Sequence, residues 1–347
     1  MTQPPTDSKD PRSSSDRVKS RYEGLRVLGC QIPPVLQSLA AEHAEGGFAP
    51  ERILIRRTFA RRAQPYIGAV SDRRLPPPAE RPPSVRIVRP NGVAHPFVLT
   101  ALFVAQCRTK PGYAFVNEMA TFPEAETGQT RTWADLIAVP LNKKAQARTG
   151  GPRRGKRILE DNRRRQIHGA VRTLADGGQR LLHQPNAASS SRRYEDFMLL
   201  DETGVVDKAS LRRYHVPDKA AAVFSLPAAF FLNGWHQVLT PSEVNFLLML
   251  YASVGSRDAF PAEHRKIDSE ERLRTYALSP GAYGSHMLLR EFGLVDVVYP
   301  DGRDPADGTF AGFNEGEQPE LHSFRILEAG FDRQALGVVL PSLKSHF

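Results

Sequence analysis

The sequence predicts a mainly α-helical protein with small β-hairpins, an α+β chain. Three observations predict it. Apolar residues recur at helical spacing in several stretches, most clearly Ile167, Ala170, Val171 and Leu174 at i, i+3, i+4 and i+7. Two pairs of short runs, Arg180–Gln184 with Tyr194–Asp201 and Val295–Arg303 with Leu321–Ala329, read as strands of hairpins. The order helix, helix, helix, hairpin then occurs twice within 347 residues, a length that accommodates two or three domains.

Residues 1–18 are polar, lack the apolar stretch of a secretory signal, and read as a disordered tail. Residues 19–73 carry no assigned role. Helical spacing runs from Val18 to Ala44 with an interruption at Pro33-Pro34, and Glu51–Arg62 mixes apolar and basic residues as a strand or a short helix would. Residues 74–95, opening RLPPPAERPPS, have the composition of a semi-rigid extended linker. A first unit, 96–212, begins with an apolar helix over Pro96–Arg108 and a short second helix over Thr130–Asn142 with a threonine cap. Its third helix stops at Gly177-Gly178. The second unit, 213–347, has a helix over Leu239–Ala252 opened by Thr240, Pro241 and Glu243. Ser269–Ala277 follows, and then a third helix with Ser279 as cap, Pro280 at its first position and Gly293 as stop. A last helix runs from Asp332 to Leu343, weakened by Pro341.

The formal charge is +9, and its placement is uneven. Between Lys143 and Arg172 stand eleven basic residues: Lys143, Lys144, Arg148, Arg153, Arg154, Lys156, Arg157, Arg163, Arg164, Arg165 and Arg172. Only Glu160 and Asp161 oppose them, so this segment alone nets +9 and the rest of the chain sums to zero. Such a block is what a polyanion-binding surface needs. Within it, Gly150–Arg157 (GGPRRGKR) falls one residue short of a phosphate-binding loop. That loop needs a strand before it and a Ser or Thr on magnesium; here NKKAQART precedes it and Arg157 takes the hydroxyl's place. Pro152 also removes an amide donor from the cradle. The segment therefore reads as a basic loop lying along a nucleic-acid backbone.

The element order resembles the winged helix-turn-helix. Counting back from Gly178, residues Leu174, Val171, Ala170 and Ile167 match the positions where recognition helices of that family keep their core; from Gly293, Leu289 and Ala282 match, while Ser285 and His286 are more polar. The tandem pair is similar to winged-helix plasmid replication initiators. The resemblance implies two winged helix-turn-helix units after a poorly ordered N-terminal region, and double-stranded DNA as the partner. Opposite the stripe of Ile167 and Val171 lie Asn162, Arg165, Gly169 and Arg172, flanked by Gln166 and His168. Arg, Asn and Gln are the side chains that bond base edges bidentately, and a glycine permits close backbone approach. These six are the candidate base-reading set. Arg163, Arg164, the loop cations Lys143, Lys144, Arg148, Arg153, Arg154, Lys156 and Arg157, and the pair Arg192-Arg193 at the hairpin turn are candidate phosphate contacts. The third helix of the second unit exposes Tyr283, Met287 and Arg290 and is apolar nearly all round, which favours packing on the first unit or on a second copy over a second DNA contact.

Chemistry finds little purchase. Neither H-E-x-x-H nor G-x-S-x-G occurs, the ten histidines are scattered, and no enzyme, metal or cofactor is expected. Cys30 and Cys107 lack paired spacing and read as buried small apolar groups in a reducing cytoplasm. No run of about 18 apolar residues offers a membrane span. The expected activity is sequence-specific duplex binding, as a transcriptional regulator or as the replication initiator of a mobile element. The rival is a protein-interaction scaffold whose basic block is incidental. RNA binding ranks third, since no aromatic stacking platform stands near the arginines in sequence.

Overall fold

The computed structural model describes residues 14–89, 92–123, 131–140, 152–190, 192–204, 211–218, 220–254, 263–300 and 321–347, with backbone alone described at 14 and 152–158. Among these, helix far outweighs strand, and the strands lie in small antiparallel sheets. The class is α+β, as the sequence predicts.

The chain opens with α1 (Ser14–Leu28) and α2 (Ile32–Glu45). Their break falls before the two prolines, because Pro33 and Pro34 occupy the first turn of α2, where a missing amide hydrogen costs nothing. Cys30 sits in this break and is exposed, its thiol 3.3 Å from the Val27 carbonyl; only Cys107 is the buried group the sequence suggests. Glu51–Arg62 contains both expected alternatives, β1 (Arg52–Arg56) running directly into α3 (Arg57–Ala60).

The expected proline-rich linker is instead folded onto the body. It forms a 3-10 turn at Pro78–Glu80 and the short α4 (Pro83–Arg86), with Pro82, Pro83 and Ser84 buried. Prolines bring no amide hydrogens, so few backbone donors need partners when such a segment is buried. From α4, Arg86 donates to the carbonyls of Gly178 at 3.1 Å and Gly204 at 3.3 Å. Gly204 has φ +59, and a Cβ there would run into the Arg86 guanidinium.

At the centre lies α5 (Ala94–Arg108), buried from Ala94 to Cys107 except at Pro96. A helix apolar on every side belongs inside a fold. It touches α2, β1, α6 (Pro152–Ala175) and α8 (Trp235–Val238). Its buried Gln106 serves β1. Gln106 accepts from the Leu54 amide at 2.8 Å and donates to the Leu54 carbonyl at 2.7 Å, and Glu202 accepts from the Arg56 amide at 2.9 Å. On its other side β1 pairs with β4 (Val223–Pro227), Ile53 opposite Leu226 and Ile55 opposite Phe224.

The second helix expected over Thr130–Asn142 shrinks to one 3-10 turn, Trp133–Leu136, held by a reciprocal cap between Thr132 and Asp135. The first hairpin is present but minimal. Its strands β2 (Leu182–His183) and β3 (Met198–Leu199) pair Leu182 with Leu199 and His183 with Met198.

Further on, α7 (Ala228–Leu232) leads through α8 to α9 (Pro241–Ser253), whose Thr240–Glu243 capping box forms as read. Glu243 also receives both Arg21 guanidinium nitrogens, at 2.6 and 2.8 Å, tying α1 to α9. Then come β5 (Arg265–Lys266) and α10 (Ser269–Arg274), the latter capped by Asp268. The expected third helix divides at Gly284–Ser285 into α11 (Pro280–Tyr283) and α12 (His286–Glu291). Strands β6 (Val295–Val298) and β7 (Ser323–Ile326) follow, and the sheet order is β5-β7-β6. The last helix, α13 (Ala335–Lys344), packs on α1 and keeps Pro341 inside it.

Among the described residues one apolar core runs from Leu25 to Leu343. No described helix is long and apolar enough to cross a membrane.

Candidate nucleic-acid interface

The basic block belongs to α6. Burial follows the stripe read from sequence: Ile167, Ala170, Val171 and Leu174 are buried, packed with α5. The helix ends at Ala175, two residues before Gly177-Gly178. Arg164, Arg165 and Arg172 are exposed on the outer side, and Gly169 there has open space where a Cβ would stand. Gln166 is half-buried on the flank. Helix begins already at Pro152, so Arg153, Arg154, Lys156 and Arg157 lie in its first two turns; their side chains fall outside the described part. Lys143, Lys144 and Arg148 lie outside the described residues.

Three residues of the candidate set are placed otherwise than the helical wheel suggested. Asn162 is only 4% exposed, and its side-chain amide donates to the Pro140 carbonyl at 3.2 Å. Arg163 turns inward to the Ala134 carbonyl, and burial pushes its pKa down against the attraction of Asp135. Both therefore leave the outer face. The reason is tertiary. The segment from Trp133 to Pro140 lies along the middle of α6 and covers a flank that the apolar stripe alone leaves open.

The third is His168. Its ring stacks on Tyr194, centroids 3.9 Å apart and planes 14° from parallel, and Phe122 meets it edge-on at 5.4 Å. Burial, and secondarily the charge of Arg164, push its pKa down to about 4, so the imidazole is neutral at physiological pH. Arg164 itself lies 4.5 Å over the Phe122 ring. Both the stacking partners escaped the sequence reading. Phe122 and Tyr194 come from separate loops and nothing near them in sequence points to α6; only the fold brings aromatic rings to the arginines.

The hairpin turn carries the remaining cations. Arg192 and Arg193 are exposed; Arg192 pairs with Asp196 at 2.7 Å, and the Arg193 Nε donates to the Ala187 carbonyl at 2.9 Å. Both keep guanidinium surface toward solvent. The outer face of α6 and this turn together form a cationic surface with no described acidic partner on Arg164, Arg165 or Arg172.

At α11, Tyr283 is half-buried among Phe246, Phe324 and His286, with Arg272 5.3 Å over its ring, so it belongs to the local packing and not to an open face. Met287 is 46% exposed and Arg290 is exposed, lying 5.5 Å over Tyr299. Among the described residues no group of three or more His, Cys, Asp or Glu side chains could hold a metal ion. No protein-family model, no curated protein and no solved structure matches this chain.

Proposed function

We propose that this protein binds double-stranded DNA by sequence, through the outer face of α6 and the β2–β3 turn. It acts by occupancy, as a transcriptional regulator or as the replication initiator of a mobile element, in the cytoplasm. The observation that carries the reading is the orientation of α6. Its apolar stripe is buried on α5 while Arg165, Gly169 and Arg172 face outward along one side of a regular helix. Base reading then falls to Arg165, Gln166 and Arg172, with Gly169 admitting close approach. Arg164, Arg192, Arg193 and the cations of the first two turns position the duplex through its phosphates.

The finer architecture proposed is two winged helix-turn-helix units. In its support, α9, β5, α10, α11–α12, β6 and β7 follow one another as three helical elements and a hairpin, with β5 completing the sheet. The first unit supports it more loosely, its middle helix being one 3-10 turn. For the second unit, exposed Met287 and Val298 favour a protein contact, with a second copy as partner, over a second DNA face.

Selection of bound fragments from genomic DNA tests the reading and separates its two forms: promoters indicate regulation, one repeat-rich locus initiation. Replacing Arg165 with Ala is expected to relax preference at one base pair by about 1–3 kcal/mol. Unchanged duplex affinity after combined Ala substitution of Arg164, Arg165 and Arg172 would sink it in favour of the scaffold reading.

A further inference from the structure

The hairpin between β2 and β3 poses a mechanical question. Its ladder pairs only two residues with two, too little to fix the direction of the turn from Gln184 to Phe197. Yet the turn is internally braced. Gln184 donates to the Arg193 carbonyl at 3.1 Å, Asn186 and Arg192 share the Asp196 carboxylate, and the Arg192 amide meets the Ser189 hydroxyl at 3.0 Å. A braced turn on a two-residue ladder needs an outside anchor. Such anchors are present. Thr121 donates its hydroxyl to the Tyr194 carbonyl at 2.9 Å and its amide to the Glu195 carboxylate at 2.8 Å. Phe197, at the end of the turn, packs its buried ring on Phe97 and Trp133, and the ring of Tyr194 stacks on His168, tying the turn to α6.

We propose that His168 is a positioning residue: by stacking on Tyr194 it holds Arg192 and Arg193 at a fixed offset from Arg165 and Arg172. This rests on the duplex-binding reading and deepens it. The partner is then a stiff double helix engaged by helix and turn together, not a flexible single strand. His168 gives one ring face to Tyr194 and an edge contact to Phe122, which leaves it little surface for a base. With the stack in place, contact by α6 presents the turn to the duplex at high effective concentration, so the two sets of contacts are energetically coupled. With the stack removed, Thr121 and Phe197 keep the turn on the body, but its offset from α6 is no longer fixed and its arginines contribute little.

The test is a cycle on the full chain: wild type, His168→Ala, Arg192→Ala with Arg193→Ala, and the triple variant. Affinity for a labelled mixed-sequence DNA duplex is measured over a series of salt concentrations. Removing the two arginines is expected to flatten the salt dependence by about two units, roughly one per phosphate contact. His168→Ala should flatten it by the same amount, and the triple variant no further. His168→Phe keeps an aromatic ring on Tyr194 and should retain the wild-type slope, which also guards against His168→Ala failing to fold. Equal losses from the arginine substitutions with and without His168 would overturn the inference while leaving duplex binding intact. A His168→Phe variant that loses preference at one base pair would likewise overturn it, returning His168 to base reading. Absence of salt-dependent duplex binding by the wild type would bring down the functional reading itself.

Discussion

Asn162 separates the wheel-based reading from the folded one. On a wheel it faces a base; in the fold its amide nitrogen bonds the Pro140 carbonyl at 3.2 Å with 4% of the residue exposed. Asn162→Ala deletes that bond and strands a partly buried carbonyl. The net value of a neutral hydrogen bond is about 1 kcal/mol, and the unsatisfied acceptor adds to it, so unfolding free energy should fall by about 1–2 kcal/mol. Urea unfolding reads that loss, and amide exchange should rise in Ala134–Val139 and the middle of α6 before the rest of the chain. Sequence preference on selected DNA fragments should stay as in the wild type, since no base contact is lost. An unchanged urea midpoint together with relaxed preference at one base pair would refute the reasoning, because it would put Asn162 in the groove.

Other outcomes follow from the same structure. Glu243→Ala removes the return arm of the α9 capping box and the partner of Arg21, whose side chain is 16% exposed; a loss of about 3 kcal/mol in urea unfolding is expected, near the low end for a buried pair, and less than about 1 kcal/mol would contradict the bridge's role. Burial pushes His95 to about 4 and His236 to about 3. Their unfolded values near 6.5 lie higher, so the unfolded chain takes up more protons below that pH; their stabilisation is complete above about 6.5 and is lost as pH falls toward 4 and below. Urea midpoints that stay level from about pH 7 to 4.5 would count against it. Gly155 stands in the second turn of α6 among four cations, with no acidic residue in the first turn to favour the helix dipole. Gly155→Ala should raise helicity and, by removing about 1 kcal/mol of ordering cost, tighten duplex binding by up to about fivefold; weaker binding, measured by anisotropy, would argue against α6 approaching DNA as a helix there.

Where local rules decide a feature, the sequence exposes it. The stripe from Ile167 to Leu174, the Thr240–Glu243 cap, the Ser279–Pro280 start and both hairpins form at or near their expected places. The failures share one cause, contact between parts distant in the chain. Asn162 and Arg163 are covered by the segment from Trp133 to Pro140, and His168 is held by Phe122 and Tyr194; no period in α6 encodes those neighbours. The proline-rich segment has the composition of a spacer, but Arg86 and Asn245 give it partners that composition cannot show. The cationic surface was legible as a sum of charges. Which arginines spend their charge inside the fold was not.

One small arrangement bears on how copies of this chain behave when crowded. A lone strand rim is an invitation to zipper with a neighbour, and β1 has its rim plugged at Leu54 and Arg56 by an amide and a carboxylate from its own chain. Copies brought side by side cannot grow a shared sheet from that rim. Any association there has to be made by side chains, which is reversible and can be tuned by single substitutions.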